Sequence, residues 1–287
     1  MVHQPPWVDE GYPGKRFTVP EIENVPDLHG EIVDPQLVVF FGGNQFMVTY
    51  KLIKAFQEEH PHYERIYWQT LPPGIMAEQI EQGALVIGNL RIRLYPDIFT
   101  AGKERIQQLN AERGWFRRTL NYAANELGLM VAAGNPSEIR RLTDLSRPDV
   151  RVSMPNPDWE GIGKKIMEAY RKAGGEALVR EIMEEKVKTR TTFLTHIHHR
   201  QTPLRIMADA SDVGPVWKTE ILFQKQIDSP IEGVEIPVEQ NIRATYTAAS
   251  LQDASHPQAA QDFLDFLESN QTRTIYQDFG FLPPEEQ

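Results

Sequence analysis

"PQLVVFFGGNQFMVTYKLIKAFQEEHP", residues 35–61, holds two periodicities back to back. Leu37 to Phe41 is an unbroken apolar run of strand length, and two glycines close it. From there Phe46, Tyr50, Ile53 and Phe56 recur at helical spacing until Pro61 stops the helix. A strand with no polar alternation is covered on both faces, and the amphipathic helix behind it supplies one cover. The stretch is therefore a βα unit, and it places the chain in the α/β class.

The same rhythm continues on both sides. "YERIYWQT" reads as a second strand, "LPPG" as a turn, and "IMAEQIEQG" as a short helix closed by Gly83. "ALVIGNLRIRL" and "PDIFTAG" read as further strands. The second half repeats the style. "ELGLMVAAGNP" is a strand and turn, and "SEIRRLTDLSRPDVRVSMPNP" ends in a strand with a proline-rich exit. "GIGKKIMEAYRKAGG" is a helix with a glycine end, and "EALVREIMEEKVKT" is another. "TPLRIMADAS" begins a helix with Thr202 as cap and Pro203 in its first turn. "DVGPVW" and "VEIPVEQNIRATYTAAS" are extended, and "HPQAAQDFLDFLESNQTRTIYQDFG" is a closing helix pair. Residues 1–35, rich in Pro, Gly and charge, read as an irregular arm that lies over the surface or is partly disordered.

Composition excludes several classes. With 287 residues the length favours about two domains. The 40 acidic against 30 basic residues give a formal charge of −10, which disfavours nucleic acid as a partner. No run approaches the roughly 18 apolar residues of a membrane helix. The absence of cysteine removes disulfides, thiolate catalysis and cysteine-based zinc sites. The first residues, "MVHQPPWVDEGYPGKRF", lack the charged and apolar regions of a secretory leader, which leaves a cytoplasmic location open.

The order of motifs resembles the type 2 periplasmic solute-binding proteins, and within them the molybdate-binding group of transport receptors. The stretch at 40–61 resembles that family's first strand, ligand loop and helix. "WQTLPPGIMAEQIEQGA" resembles its second ligand loop and helix, and "YPDIFTAG" its "ADVFISA" strand. "MADASDVGPVWKTE" resembles "GEADAGIVYATDA", and "AAQDFLDFLESNQTRTIYQDFGF" resembles the closing "AFLDFLLSPEAQAIFAKYGF". The resemblance implies a two-lobed α/β fold, each lobe a mixed sheet flanked by helices, with a ligand cleft between the lobes. It places the first lobe at 36–127 and 233–287 and the second at 128–232, with crossovers near Asn125–Leu129 and Gly233–Gln240. It also implies a periplasmic or extracellular monomer that binds a small ion or small anion, serves a membrane transporter and performs no chemistry. The chain departs from the family at "GGNQ", where a serine is usual, at "QTLPPG", where "SSG" is usual, and at Trp217, where a tyrosine follows "GIV".

In such a fold the ligand loops lie where strands end and helices begin, and helix N-termini there favour anions. Asn44 and Gln45 occupy the first such junction and Thr70 the second, as ligand contacts or as plain turn and cap residues. Asn156 and Asp158, in "MPNPDWEGIGKK", occupy a third, where Asp158 also suits a helix cap. "GIGKK" is not a phosphate loop: the Walker pattern needs glycine at position 158, which is Asp158, and the dinucleotide pattern needs one at Ile166. Trp217 stands as a cleft wall or as a core residue.

The remaining motif is "THIHHRQTP", residues 195–203, with three of the chain's eight histidines in four positions. Extended, it places His196 and His198 on one face; helical, it groups His196, His199 and Arg200. His196, His198 and His199 are thus candidate ligands for a transition metal such as zinc or nickel, with Asp158 as a carboxylate donor. No cofactor is obligatory. The alternatives are an oxyanion or carboxylate held by Arg200 and imidazolium, a solvated polar loop, and a metal-dependent hydrolase. The hydrolase lacks support beyond the cluster itself, since there is no G-x-S-x-G, no HExxH and no cysteine.

Overall fold

Leu37–Gly42 is a fully buried strand and Phe46–Glu59 a helix in the computed structural model, which describes residues 27–284 other than Ile197. In chain order the strands and helices are β1 Leu28–Gly30, β2 Leu37–Gly42, α1 Phe46–Glu59, β3 Ile66–Leu71, α2 Pro73–Gln82, β4 Leu85–Ile87, β5 Leu90–Ile92, β6 Ile98–Gly102, α3 Lys103–Arg113 and β7 Phe116–Ala132. They continue as β8 Val152–Met154, α4 Gly161–Arg180, α5 Lys186–Lys188, β9 Thr192–Leu194, α6 Thr202–Met207, β10 Val213–Trp217, α7 Lys218–Gln226, β11 Ile231–Glu235, β12 Arg243–Leu251, α8 Pro257–Leu267 and α9 Asn270–Asp278. α1 buries Phe46, Ile53 and Phe56 of the anticipated stripe, with Leu52 and Val48 beside them, while Tyr50 is half-buried.

The described chain divides into two units. One comprises the residues up to Ala124 together with those from Ala244 onward; the other is Asn125–Arg243. Ile231–Glu235, near the anticipated return at 233–240, pairs with β7 inside the second unit, and the division falls at Ala244.

The first unit has a mixed sheet in the order β1-β3-β2-β6-β12-β7. β3, β2 and β6 are parallel, while β1 and β12 run antiparallel to their neighbours. Parallel β2 and β3 deliver the turns at 42–45 and at 71–73 to the same end of the sheet. Phe40, Phe99, Leu71 and Met76 lie in its core.

The arm expected over 1–35 needs correction where it is described; residues 1–26 lie outside the described residues. Leu28–Gly30 is not irregular surface chain but a buried strand, in register with Tyr67, Trp68 and Gln69. The physical reasons are local. Leu28 has apolar cover, His29 stacks on Trp68 with ring centroids 5.0 Å apart, and Gly30 takes φ +81. A Cβ at Gly30 would come within 2.0 Å of the Ile66 carbonyl oxygen, so only glycine fits there.

The second unit has the sheet order β11-β7-β10-β8-β9. β10, β8 and β9 are parallel and send three loops to one sheet end, while β7 runs antiparallel to both β10 and β11. Met130, Val216, Ile206, Ile221 and Ile231 pack together in its core. Helix α4 breaks at Gly174 and Gly175, matching the helix end read at "AGG". Its Gly163 lets the loop before it pack against the helix: a Cβ there would stand 2.6 Å from the Pro155 carbonyl oxygen. The helix at 202 also starts earlier than read, because a 3-10 turn at His199–Gln201 precedes it. Thr202 is therefore inside the helix, its hydroxyl 3.0 Å from that of Ser153.

Candidate functional site

In the first unit, the turn after β2 is built from neutral groups. Thr100 Oγ1 accepts from the Gly42 N–H and from Gln45 Nε2, both at 3.0 Å. The Gln45 carbonyl accepts from the hydroxyls of Tyr122 at 2.8 Å and Tyr276 at 2.9 Å. Asn44 Nδ2 donates to the Tyr246 hydroxyl. Burial pushes the Tyr122 and Tyr276 phenols well above their ordinary values, so this cluster carries no charge. A 3-10 turn at Gly43–Gln45 runs into α1, so the first N–H groups of this helical segment lack intrahelical acceptors. At the next junction the Thr70 N–H donates to the Asp27 carbonyl at 2.8 Å, and the Thr70 side chain is buried.

In the second unit, the strand-end loops meet around ions. Glu160, at the start of α4, is buried. Its Oε1 accepts from the Asn156 N–H at 3.2 Å and from the Thr195 hydroxyl. Its Oε2 accepts from the His199 N–H at 2.8 Å and pairs with His199 Nδ1. The other ring nitrogen, Nε2, lies 2.9 Å from Glu220 Oε2, which also accepts from the Trp217 N–H at 3.1 Å. Next to this, Arg200 Nη2 donates to His198 Nε2 at 2.9 Å, with both side chains buried.

The protonation states follow from hydrogen-bond chemistry. A carboxylate only accepts, and His199 faces one on each ring nitrogen, so both nitrogens carry protons and the ring is imidazolium. Burial alone pulls its pKa down, but Glu220 and Glu160 outweigh that and push it up to about 10. Burial pulls the Glu160 pKa up, and His199 with the Thr195 hydroxyl outweighs it, holding the group below its usual value. A guanidinium only donates, so His198 accepts on Nε2 and is the neutral Nδ1–H tautomer.

These facts correct the metal reading. His199 has both nitrogens committed to carboxylates and carries a positive charge. His198 has its lone pair engaged by Arg200, and His196 is exposed, edge-on to Phe193 at 5.4 Å. Among the described residues no group of three or more His, Asp or Glu side chains is placed to hold a metal ion. Asp158 is exposed, and its N–H closes a turn onto Asn156 Oδ1 at 3.0 Å; Glu160, two residues on, occupies the position expected of it. Gln45 is interior, with its carboxamide engaged by three hydroxyls, and serves the turn. Trp217 is buried at the N-cap of α7.

Asn156 and Arg200 do lie in the strand-end loops of the second unit, and Asn44 in that of the first. Glu160, Glu220, Thr195 and Tyr246 were not singled out in the sequence. Glu220 carried a signal: an acid in the first turn of a helix can reach back to the N–H of the N-cap residue, and Glu220 Oε2 accepts from the Trp217 N–H at 3.1 Å.

Among the described residues, two side-chain donors in these loops are buried without a hydrogen-bond partner. Gln201 is 8% exposed and its Nε2 is buried with no hydrogen-bond partner. Trp159 Nε1, in the loop before α4, is likewise buried and unpartnered. The other such atoms in this unit include Thr192 Oγ1 and Gln224 Oε1, which lie at the start of β9 and in the second turn of α7 rather than in the loops.

Residues 37–282 match the family described as bacterial extracellular solute-binding protein. A molybdate-binding protein of Mycobacterium bovis is 22% identical over 73% of this chain and 70% of its own length. Among solved structures, the sulfate-binding protein SubI from Mycobacterium tuberculosis superposes with a TM-score of 0.69 at 19% identity, covering 87% of this chain and 86% of that one. The periplasmic molybdate-binding protein of Azotobacter vinelandii gives 0.68 at 16% identity, over 87% of this chain and all of that one (100%).

Proposed function

We propose that this chain, which belongs to the bacterial extracellular solute-binding protein family, binds a small oxyanion of the molybdate or sulfate kind through buried donors of its second unit. Membership makes it a binding protein and not an enzyme. The carrying observation is the sign of what the loops leave over. Both oxygens of Glu160 accept from protein donors and Glu220 Oε2 accepts from two more, while Arg200, 2% exposed, supplies a guanidinium and Gln201 Nε2 is a buried donor with no partner. A buried donor is costly until an acceptor arrives, and a ligand made of acceptors, as an oxyanion is, meets that need. A cation brings no acceptor. The ligands named for the molybdate-binding relative and the sulfate-binding structure agree in kind with this chemistry. The partner in this reading is the membrane component of an ABC transporter, and the place of action is outside the cytoplasmic membrane. No helix among the described residues is long and apolar enough to cross a membrane.

Calorimetric titration tests the reading. Sulfate, molybdate and tungstate are titrated into the protein alongside zinc and nickel. Binding of at least one oxyanion is expected, and Arg200→Ala should weaken it at least tenfold, about 1.4 kcal/mol. Saturable zinc or nickel binding with no oxyanion heat would overturn it.

A further inference from the structure

We propose that His199 is a positioning residue for solute binding: its ring pins the three strand-end loops of the second unit to one another. The loop after β8 reaches it through Glu160, its own loop after β9 carries it, and the β10–α7 junction reaches it through Glu220. Each carboxylate is itself tied to its neighbourhood. Glu160 gathers the N–H of Asn156 and the hydroxyl of Thr195, and Glu220 gathers the N–H of Trp217 at 3.1 Å. One side chain thus connects segments 39 and 21 residues away in sequence.

Only an imidazolium does this. A neutral ring has one donor and one acceptor, and would set a lone pair against a carboxylate. The charged groups involved are Glu160 from the start of α4, Glu220 from the first turn of α7, and Arg200 from the same loop. With both carboxylates ionised, the cluster of two acids, His199 and Arg200 is neutral in sum, so it is held without a net buried charge. His198, Arg200 and Gln201 flank the pin in the chain, so their placement depends on it. The inference rests on solute binding by the family and not on the sign of the solute's charge.

Hydrogen–deuterium exchange on the ligand-free protein tests the pin, and sulfate and molybdate titrations run beside it. In His199→Gln, amides at 155–160, 195–201 and 217–220 should exchange at least about tenfold faster, while those at 42–49 in the first unit keep their rates. The double variant His199→Gln with Glu220→Gln should recover protection, because a carboxamide at 220 donates to the one at 199 and restores neutral pairing. A cavity or general loss of stability would not be rescued that way. Where the single variant does not fold, Glu220→Gln alone removes one end of the pin, and exchange should rise at 217–220 and 195–201 but not at 155–160. Acceleration confined to 195–201, or spread evenly through residues 125–243, overturns the proposal. If the wild type binds neither oxyanion, the anion reading fails and the exchange pattern still decides the pin.

Discussion

The turn after β2 and the loop after β9 solve the same problem with opposite chemistry. Each must fix a strand end against the helix that follows, leaving polar backbone to spare. The first unit does it with a carboxamide among hydroxyls: Gln45 held by Thr100, Tyr122 and Tyr276. The second does it with an imidazolium between two carboxylates. Neutral hydrogen bonds contribute about 1 kcal/mol each and are indifferent to pH. A buried ion triad contributes little net over an apolar core but fails badly when one member is lost. The two loops should therefore differ sharply in how they respond to mutation and to protons.

The largest expected effect is Glu160→Ala. It strands the imidazolium of His199 beside Glu220 alone, removes the acceptor of the His199 N–H and of the Thr195 hydroxyl, and leaves the Asn156 N–H only Thr195 Oγ1. We expect a loss of about 3–5 kcal/mol in denaturant unfolding. A loss under about 1 kcal/mol would break the contrast, because it would make the ionic loop as tolerant as the neutral one.

Protons separate the loops next. The folded pKa of His199 is raised, to about 10 from 6.5, so its contribution is complete below the unfolded value and is lost as pH rises through about 10. Glu160 is depressed, so its contribution is present above the usual glutamate value and is lost as pH falls through the lowered one. Measured by denaturation, the stability gap between wild type and His199→Gln should narrow steadily between about pH 6.5 and about pH 10. A gap independent of pH would mean that His199 is neutral in the folded protein.

The same contrast explains what the sequence could disclose. The βα unit at 35–61 was legible because strand and helix periodicity are local, as were the break at Gly174–Gly175 and the closing helices. The cluster at 195–203 was legible as a concentration of chemistry, but its sign was not. His199 takes its charge from Glu160 and Glu220, brought to it only by the parallel order of β8, β9 and β10. Nothing at sequence distances of 39 and 21 marks that meeting. What holds Gln45 was hidden for a similar reason: Tyr122 and Tyr276, which claim its carbonyl, lie 77 and 231 residues away. β1 escaped notice because a three-residue strand has too little pattern to stand out from a Pro- and Gly-rich arm.

The smallest effect belongs to the neutral loop. Tyr276→Phe removes one of the two hydroxyls donating to the Gln45 carbonyl and leaves that of Tyr122 in place at 2.8 Å. The carbonyl stays paired, no charge is exposed, and the ring keeps its contact with Phe281, whose centroid is 5.1 Å away. The cost should be about 1 kcal/mol or less, that of one neutral hydrogen bond whose acceptor keeps another donor. Because burial holds the Tyr276 phenol protonated and the unfolded phenol ionises only near its ordinary value of about 10, that cost should also be the same at about pH 6.5 as at about pH 8.5. Denaturation of this variant between about pH 6.5 and about pH 8.5, a range in which the His199→Gln cost already falls, makes the check. If the Tyr276→Phe cost changes with pH as the His199→Gln cost does, the first unit's turn is coupled to a titrating group, and the division into a neutral and an ionic loop does not hold.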